Sequence, residues 1–490
     1  MEVVWEVIQN IISYIAGHLP YINLIFAIII VFIQRKDPKS VWAWLLILYF
    51  IPVLGFVFYL LVGTDIYKER MFRNKEIEDQ LSDAVRKQKM IIGSSELADY
   101  YPEMAKYSDL VLYNLQTAGA ILSDDNEVQT ITDGKEKFRM LFEDLEKAQN
   151  SIHVEYYIIK DDEVFARMKE ILCRKVKEGV EVRLLFDAMG CRTMGKKKWQ
   201  ELEESGIEIA EFFPAFFGRL QLRINYRNHR KIVVVDGKVG YVGGFNVARE
   251  YVGLDEKFGY WRDTHLRIEG SAVALLQSRF ILDWNYAYRK HVIPFERYIV
   301  ESERMPGSGK PVQIISSGPD THEQSIRDTY LRLIHKATKS IYIQTPYFIP
   351  DEAIFTALQI AVESGIEVNI MIPCKPDHPF VYWATYSYIG ELVLAGANCY
   401  TYNNGFLHAK GIVVDEEVLC YGTANMDIRS FALNFEVNAI VYDREKAQEM
   451  ADCFREDLKV CKKISRNGYL SRSAFIRMKE RVCRLFSPVL

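Results

Sequence analysis

His229-Arg230-Lys231-Ile232-Val233-Val234-Val235-Asp236-Gly237 and His408-Ala409-Lys410-Gly411-Ile412-Val413-Val414-Asp415-Glu416 are two copies of one pattern, His-x-Lys-x4-Asp. Each is followed at the same distance by a glycine-containing turn and an asparagine: Gly243-Gly244-Phe245-Asn246 and Gly422-Thr423-Ala424-Asn425. A lone His-Lys pair on a strand is ordinarily structural. Repetition with identical spacing and the same downstream asparagine predicts a duplicated fold that gathers two histidines, two lysines and two asparagines.

Residues i and i+2 of a strand share a face, so His229 sides with Lys231 and His408 with Lys410. The β-branched run Ile232–Val235 favours a sheet. Gly237 marks a turn, and Val239–Val242 can return as the neighbouring strand, leaving Asn246 just past its end. This set suits a phosphodiester, whose non-bridging oxygens gain charge during displacement. Lysines and carboxamides supply fixed donors for those oxygens without a metal ion. One neutral histidine can attack phosphorus while the other, protonated, donates to the leaving alkoxide, a pairing for which imidazole is suited near neutral pH.

The repeat extends beyond the motifs. Ser151–Ile159 reads as a strand, Glu163–Gly179 as a helix and Val180–Asp187 as a strand, with Gly206–Glu211 as a further piece. Ser340–Phe348, Glu352–Gly365, Ile366–Ile372 and Gly396–Tyr402 repeat that order, which predicts an α/β chain built by internal duplication. The expected divisions are a first α/β domain over 121–300, a linker over 301–312 with Pro306, Gly307, Ser308 and Gly309, and a second domain over 313–460. Residues 66–120 read as a polar helical connector.

The first 65 residues differ in kind. Val41–Val62 carries no charge and would measure about 33 Å as a helix, enough to span a bilayer. A second apolar stretch, about 11–33, precedes it, so a membrane hairpin is expected over 1–65. Lys and Arg counts near the spans leave orientation nearly balanced, with a lean towards a cytoplasmic catalytic region. The net charge of −4 gives no chain-wide signal for a polyanion, and no basic stripe suggests nucleic acid. Eight cysteines without a Cys-x2-Cys pair point to reduced thiols, with no zinc site or disulfide framework.

The paired motifs resemble the phospholipase D superfamily. Their context resembles its bacterial cardiolipin synthase branch: Asn228-His229-Arg230-Lys231, Trp261-Arg262-Asp263-Thr264-His265, Gly422–Glu436, the N-terminal hydrophobic segments and the terminal Ser487-Pro488-Val489-Leu490. The resemblance covers essentially the whole chain and implies two phospholipase D-like α/β sandwich domains sharing one active site. It implies a bacterial multi-pass membrane enzyme that transfers a phosphatidyl group between two phosphatidylglycerols, giving cardiolipin and glycerol through a phosphatidyl-histidine, with no cofactor. His229 is then the nucleophile and His408 the acid, with exchange of roles open. Lys231, Lys410, Asn246 and Asn425 bind phosphate oxygens, Asp263 and Glu436 orient the histidines, and Asp236 and Asp415 support the motifs. Thr423 departs from the serine often found in the superfamily. A hydrolase would share these residues and differ in whether water wins, and a phosphatidyltransferase with another acceptor alcohol would share them too. A nuclease of the superfamily and a non-catalytic membrane scaffold fit less well.

Three features stay outside that core. Phe212-Phe213-Pro214-Ala215-Phe216-Phe217, with Arg219, Arg223 and Arg227 behind it, is either a loop entering the bilayer or a buried aromatic cluster. Trp261 and Arg262 suit packing and a surface ion pair as well as substrate contact, and His265 reads as a hydrogen-bonded structural residue. Residues 461–490 form a basic amphipathic segment in which Phe475, Met478, Val482, Leu485 and Phe486 recur at helical spacing. Docking of that apolar face on the catalytic region is the expectation, with an anionic lipid surface as the alternative.

Overall fold

The computed structural model describes residues 102–214, 226–288, 292–321, 323–375 and 377–487, together with Gln88 and parts of the stretch 18–55. The first half contributes β1 (Leu122–Asp133), β2 (Ser151–Tyr156), β3 (Glu181–Asp187), β4 (Glu208–Phe212), β5 (Arg227–Asn228), β6 (Ile232–Val235), β7 (Val239–Gly243) and β8 (Trp261–Glu269). The second contributes β9 (Lys310–Ser317), β10 (Ser340–Gln344), β11 (Phe348–Ile349), β12 (Glu367–Pro373), β13 (Asn398–Tyr402), β14 (Phe406–Leu407), β15 (Gly411–Val414), β16 (Val418–Gly422), β17 (Met426–Asp427), β18 (Asn434–Val441) and β19 (Cys461–Lys463).

Neighbouring strands run β4-β3-β2-β6-β7-β8-β1 in the first half. They run β13-β12-β10-β15-β16-β18-β9 in the second, which is the same topology. Antiparallel pairing of β1 with β9 carries the hydrogen bonding from one half into the other. The strand β9 begins at Lys310, so it takes up the end of the expected linker. The duplication reaches the helix caps. Asp162 and Asp351 stand at equivalent positions, and each carboxylate accepts from the first backbone N–H groups of the helix it precedes, Glu163–Lys177 and Glu352–Glu363.

Strand alternation divides the apolar side chains. In β6, Val233 and Val235 face the core of the first half, while Ile232 and Val234 face a layer shared by both halves. In β15, Ile412 and Val414 face the second half's own core and Val413 faces the shared layer. The helices Ala272–Ala287 and Arg444–Leu458 enter that shared layer through Leu276, Met450 and Phe454. Pro102–Ala118, the described end of the 66–120 stretch, buries Met104, Leu110, Val111 and Leu115 in the second half's core.

The motif aspartates lie at the far ends of their strands. Asp236 accepts from the backbone N–H of Gln149, Asn150 and Ser151, which pins the start of β2. Asp415 does the same for Thr338, Lys339 and Ser340 at the start of β10, and also accepts from Lys106 at 2.5 Å. Both residues adopt positive φ, +53° and +54°, as the tight turn to the next strand requires.

The described N-terminal residues form a unit of their own. Its helix Pro38–Phe50 has 13 residues, and no helix among the described residues is long and apolar enough to cross a membrane. Much of the expected spans at 11–33 and 41–62 lies outside the described residues. What is described carries a specific contact. Pro52 has no N–H to offer the carbonyl of Leu48 four residues earlier. The Asn23 side chain donates to that carbonyl instead, at 3.2 Å, and to Pro52 C=O at 3.3 Å. Ile30, Trp44 and Leu48 pack together, while Tyr21, Leu24, Trp42, Tyr49 and Phe50 stay exposed.

At the other end, residues 461–487 are β19, the short helix Arg466–Leu470 and the helix Ala474–Leu485. The C-terminal helix docks, but not through its apolar stripe. Glu480 and Cys483 are buried, whereas Phe475, Met478, Val482, Leu485 and Phe486 are exposed. Against the expectation, the apolar stripe is thus the undocked face. The helix is held by polar and small groups, Arg484 to Glu391 and Cys483 beside Ile349 and Ala384.

Candidate active site

Two very short strands decide the site. Asn228 of β5 pairs in register with Phe435 of β18, and Leu407 of β14 pairs with Arg262 of β8. Each pairing crosses between halves and ends one residue before a motif histidine. The backbone N–H of His229 then donates to Phe435 C=O (2.9 Å), and that of His408 to Arg262 C=O (2.7 Å). The next residues along the partner strands are Glu436 and Asp263. Consequently His229 Nδ1 meets Glu436 Oε2 at 3.0 Å, and His408 Nδ1 meets Asp263 Oδ2 at 2.5 Å. Each histidine is oriented by the carboxylate of the opposite half.

The lysines follow from the strand alternation. Lys231 and Lys410 lie two residues past the histidines and are fully buried. Lys231 Nζ donates to His229 C=O at 2.6 Å, and Lys410 Nζ donates to His408 C=O and reaches His408 Nδ1 at 2.7 Å. Burial pushes the Lys231 ammonium down to about 7, against the field of Glu436. It pushes Lys410 down to about 8, against Asp263. An incoming anion would relieve this desolvation penalty.

Burial also lowers both imidazoles. His408 is held down to about 4 by burial and by Lys410, which outweigh Asp263. His229 is lowered by burial and Lys231 in spite of Glu436. Burial works to raise the two carboxyls, yet both stay below the ordinary carboxylate range, Asp263 through Lys410 and His408, and Glu436 through His229 and Lys231. The result is two ionised carboxylates, each beside a neutral imidazole, with two reluctant ammonium groups between them.

The downstream asparagines sit where the turn predicts, but they are held differently. Asn246 accepts from Ile158 N–H (3.0 Å) and donates to Tyr251 Oη (2.7 Å). The backbone N–H of Asn425 donates to Ser430 Oγ (3.2 Å), while its buried Oδ1 has no partner. Gly244 is required by close approach: a β carbon there would lie 1.9 Å from Asp263 Oδ1. The equivalent Thr423 instead donates from Oγ1 to Val437 C=O (3.2 Å) and accepts from Val437 N–H (2.9 Å). Asp236 and Asp415 lie across the length of their strands from the histidines; Asp236 binds the backbone at the start of β2, and Asp415 binds that of β10 and Lys106.

Several neighbours were not singled out by the sequence. Tyr157 packs edge-on to His229 at 4.9 Å, and Tyr251 lies 5.9 Å from His408. Tyr157 follows the carboxyl end of β2, the end of a parallel strand where sites collect, and that rule could have found it. Nothing in the sequence marks Tyr251. Arg230 is buried, donating to Asp283 at 2.5 and 2.7 Å, to Glu436 C=O at 3.2 Å and to Ser317 C=O at 3.2 Å. Trp261 joins an aromatic nest with Phe406 and stands 5.1 Å from the His408 ring. Arg262 forms a buried ion pair with Asp457 (2.9 Å), in place of the expected surface pair. His265 is buried with no hydrogen-bond partner on either ring nitrogen, so it is a packed, neutral imidazole that burial holds well below its usual range.

Phe212 and Phe213 are buried against Tyr286 and Phe435, which fits the aromatic-cluster reading for that end. The remainder of the aromatic loop, 215–225, lies outside the described residues. All eight cysteines are free thiols. Among the described residues no group of three His, Cys, Asp or Glu side chains is placed to hold a metal ion.

The chain is similar to known proteins. Residues 141–278 and 330–458 match the family described as "Cardiolipin synthase, PLD-like domain", and 22–63 match "Phospholipase_D-nuclease N-terminal". The chain is 48% identical to the major cardiolipin synthase ClsA of Bacillus subtilis, over 96% of this chain and 97% of that one. It is 46% identical to the cardiolipin synthase of Oceanobacillus iheyensis, over 98% of this chain and 100% of that one. A phosphatidylserine synthase of Haemophilus influenzae superposes with a TM-score of 0.59 at 14% identity, covering 74% of this chain and 95% of that one, a likeness of fold.

Proposed function

Because the chain belongs to the cardiolipin synthase family of phospholipase D-like proteins, we propose that it transfers a phosphatidyl group from one phosphatidylglycerol to another, giving cardiolipin and glycerol. The observation that carries this reading is the reciprocal pairing of His229 with Glu436 and His408 with Asp263 around two buried lysines. The two halves, assigned to 121–300 and 313–460, then share one active site.

His229 is the nucleophile. Its Nδ1 has one carboxylate partner, which fixes the tautomer with the proton on Nδ1 and leaves the Nε2 lone pair for phosphorus. His408 Nδ1 meets Asp263, whose carboxylate stabilises the imidazolium that forms when Nε2 takes a proton. In the first step a P–Nε2 bond forms, the bond from phosphorus to the glycerol oxygen breaks, and His408 protonates that oxygen. In the second, His408 accepts the proton of a hydroxyl on a second phosphatidylglycerol, which attacks phosphorus and releases His229. Lys231, Lys410, Asn246 and Asn425 hold the non-bridging oxygens, and the bound anion raises the lysines and His408 towards their charged forms. Asp236 and Asp415 keep the motif strands in register.

The reading places the enzyme at a bacterial cell membrane, with the N-terminal segments as a two-span anchor and the catalytic region on the cytoplasmic side. The apolar stretches 11–33 and 41–62 and the Asn23 contact that satisfies the Leu48 carbonyl support the anchor. Mass-spectrometric product analysis with phosphatidylglycerol alone tests the function. Cardiolipin and glycerol in equal amounts are expected, whereas phosphatidic acid without cardiolipin would make the protein a hydrolase.

A further inference from the structure

The exposed stripe of the C-terminal helix has no occupant in the fold. Around Ala474–Leu485 three faces can be separated by their contacts. The docked face carries Glu480 and Cys483, buried against the helix Pro379–Ala395 and its surroundings. A second face carries Phe475, Met478, Val482, Leu485 and Phe486, with Leu485 79% and Phe475 59% exposed. A third carries Arg477 and Arg481, both exposed, with Arg484 at its border. Lys479 edges the apolar stripe on its other side, 4.5 Å over the Phe475 ring and 5.4 Å over Trp383.

The charge around this stripe has one sign. Glu480 is the helix's single acidic residue, and it is buried and paired with Arg472 at 2.9 Å. A protein partner would need to match an apolar ridge fringed by cations on both sides. A bilayer of anionic phospholipid supplies acyl chains for the ridge and phosphates for the fringe, with no demand for shape. We infer that the helix Ala474–Leu485 is a second membrane-contact element that lies in the headgroup region of an anionic bilayer. The inference goes beyond the catalytic reading and needs no role for either histidine. The helix Pro379–Ala395, which it grips through Arg484 to Glu391, follows Asp377, whose carboxylate accepts from Tyr347 and whose field reaches Lys410. A surface contact there would orient the site against the lipid.

The test uses the full chain in nanodiscs of phosphatidylcholine alone or mixed with phosphatidylserine, with hydroxyl-radical modification of Phe475 and Met478 as readout. Each cation near an anionic surface strengthens binding roughly fivefold, so modification should fall several-fold in the anionic discs and recover in high salt. The paired substitution Arg477→Glu with Arg481→Glu should abolish that protection while leaving turnover of detergent-dispersed phosphatidylglycerol unchanged. Equal modification in both kinds of disc would overturn the inference. So would protection that appears without lipid as protein concentration rises, which would mark a contact between copies. Since the readout does not depend on turnover, failure here and failure of the catalytic reading are separable.

Discussion

The two motif copies are related by sequence and topology, yet they are built differently around their histidines. In the first half, Gly244 leaves room for the short carboxylate of Asp263 to press towards His408 of the other half. At the equivalent place in the second half, Thr423 holds the strand of Glu436 through Val437, and the longer glutamate reaches His229. Next to His229 stands Arg230, clamped to Asp283 and to the backbone of β9 and β18, while next to His408 stands Ala409. Lys410 touches the ring of its own histidine, whereas Lys231 touches only the carbonyl. Duplication supplied the donors twice, and the surroundings of the two copies differ in the way the proposed division into an attacking and a proton-handling histidine requires.

The largest effect expected is from the histidines. His229→Ala and His408→Ala should each lower cardiolipin formation by at least about 10⁴-fold with the thermal unfolding transition retained. Normal turnover by either would end the two-histidine account. Arg230→Met should cost about 3–5 kcal/mol of stability by leaving Asp283 buried without its partner, as read by denaturant unfolding. A change at Ala409 offers no such loss, because no charged pair depends on it. If Arg230→Met proved as stable as the parent, the clamp would not distinguish the halves.

Gly244→Ala should displace Asp263 from His408 and reduce turnover by about 10²-fold, with a much smaller effect on stability than on rate. The pH dependence is the finest discriminator. Both lysines are lowered in the folded protein, Lys231 to about 7 and Lys410 to about 8, so kcat/KM should fall by about tenfold per unit as pH rises past the first value and about a hundredfold per unit past the second. Their effect on stability has the opposite sign. Between about 7 and the ordinary lysine value the unfolded chain holds more protons, so the lysine penalty to folding is relieved as pH rises. His408, lowered to about 4, adds stability above its ordinary value that is lost as pH falls from 6.5 towards 4.

Much of this was legible in the sequence because it is local. The His-x-Lys spacing, the β-branched strands and the turn before Asn246 depend on near neighbours. Asp263 and Glu436 were legible through family context. Their exchange between halves was not, because it rests on the pairings of β5 with β18 and β14 with β8, which join residues 207 and 145 positions apart at the site. Arg262 read as a surface cation because its partner Asp457 is equally distant in the chain. The C-terminal helix was correctly amphipathic, but periodicity cannot say which face meets the protein, and here Cys483 and Glu480 prevail over the more apolar stripe.

The division of labour between the halves can be tested by quenching the enzyme in alkali during turnover of phosphatidylglycerol and mapping the modified peptide by mass spectrometry. A phosphatidyl adduct on His229 and none on His408 is the expected result. An adduct on His408 in the unmodified protein would contradict it.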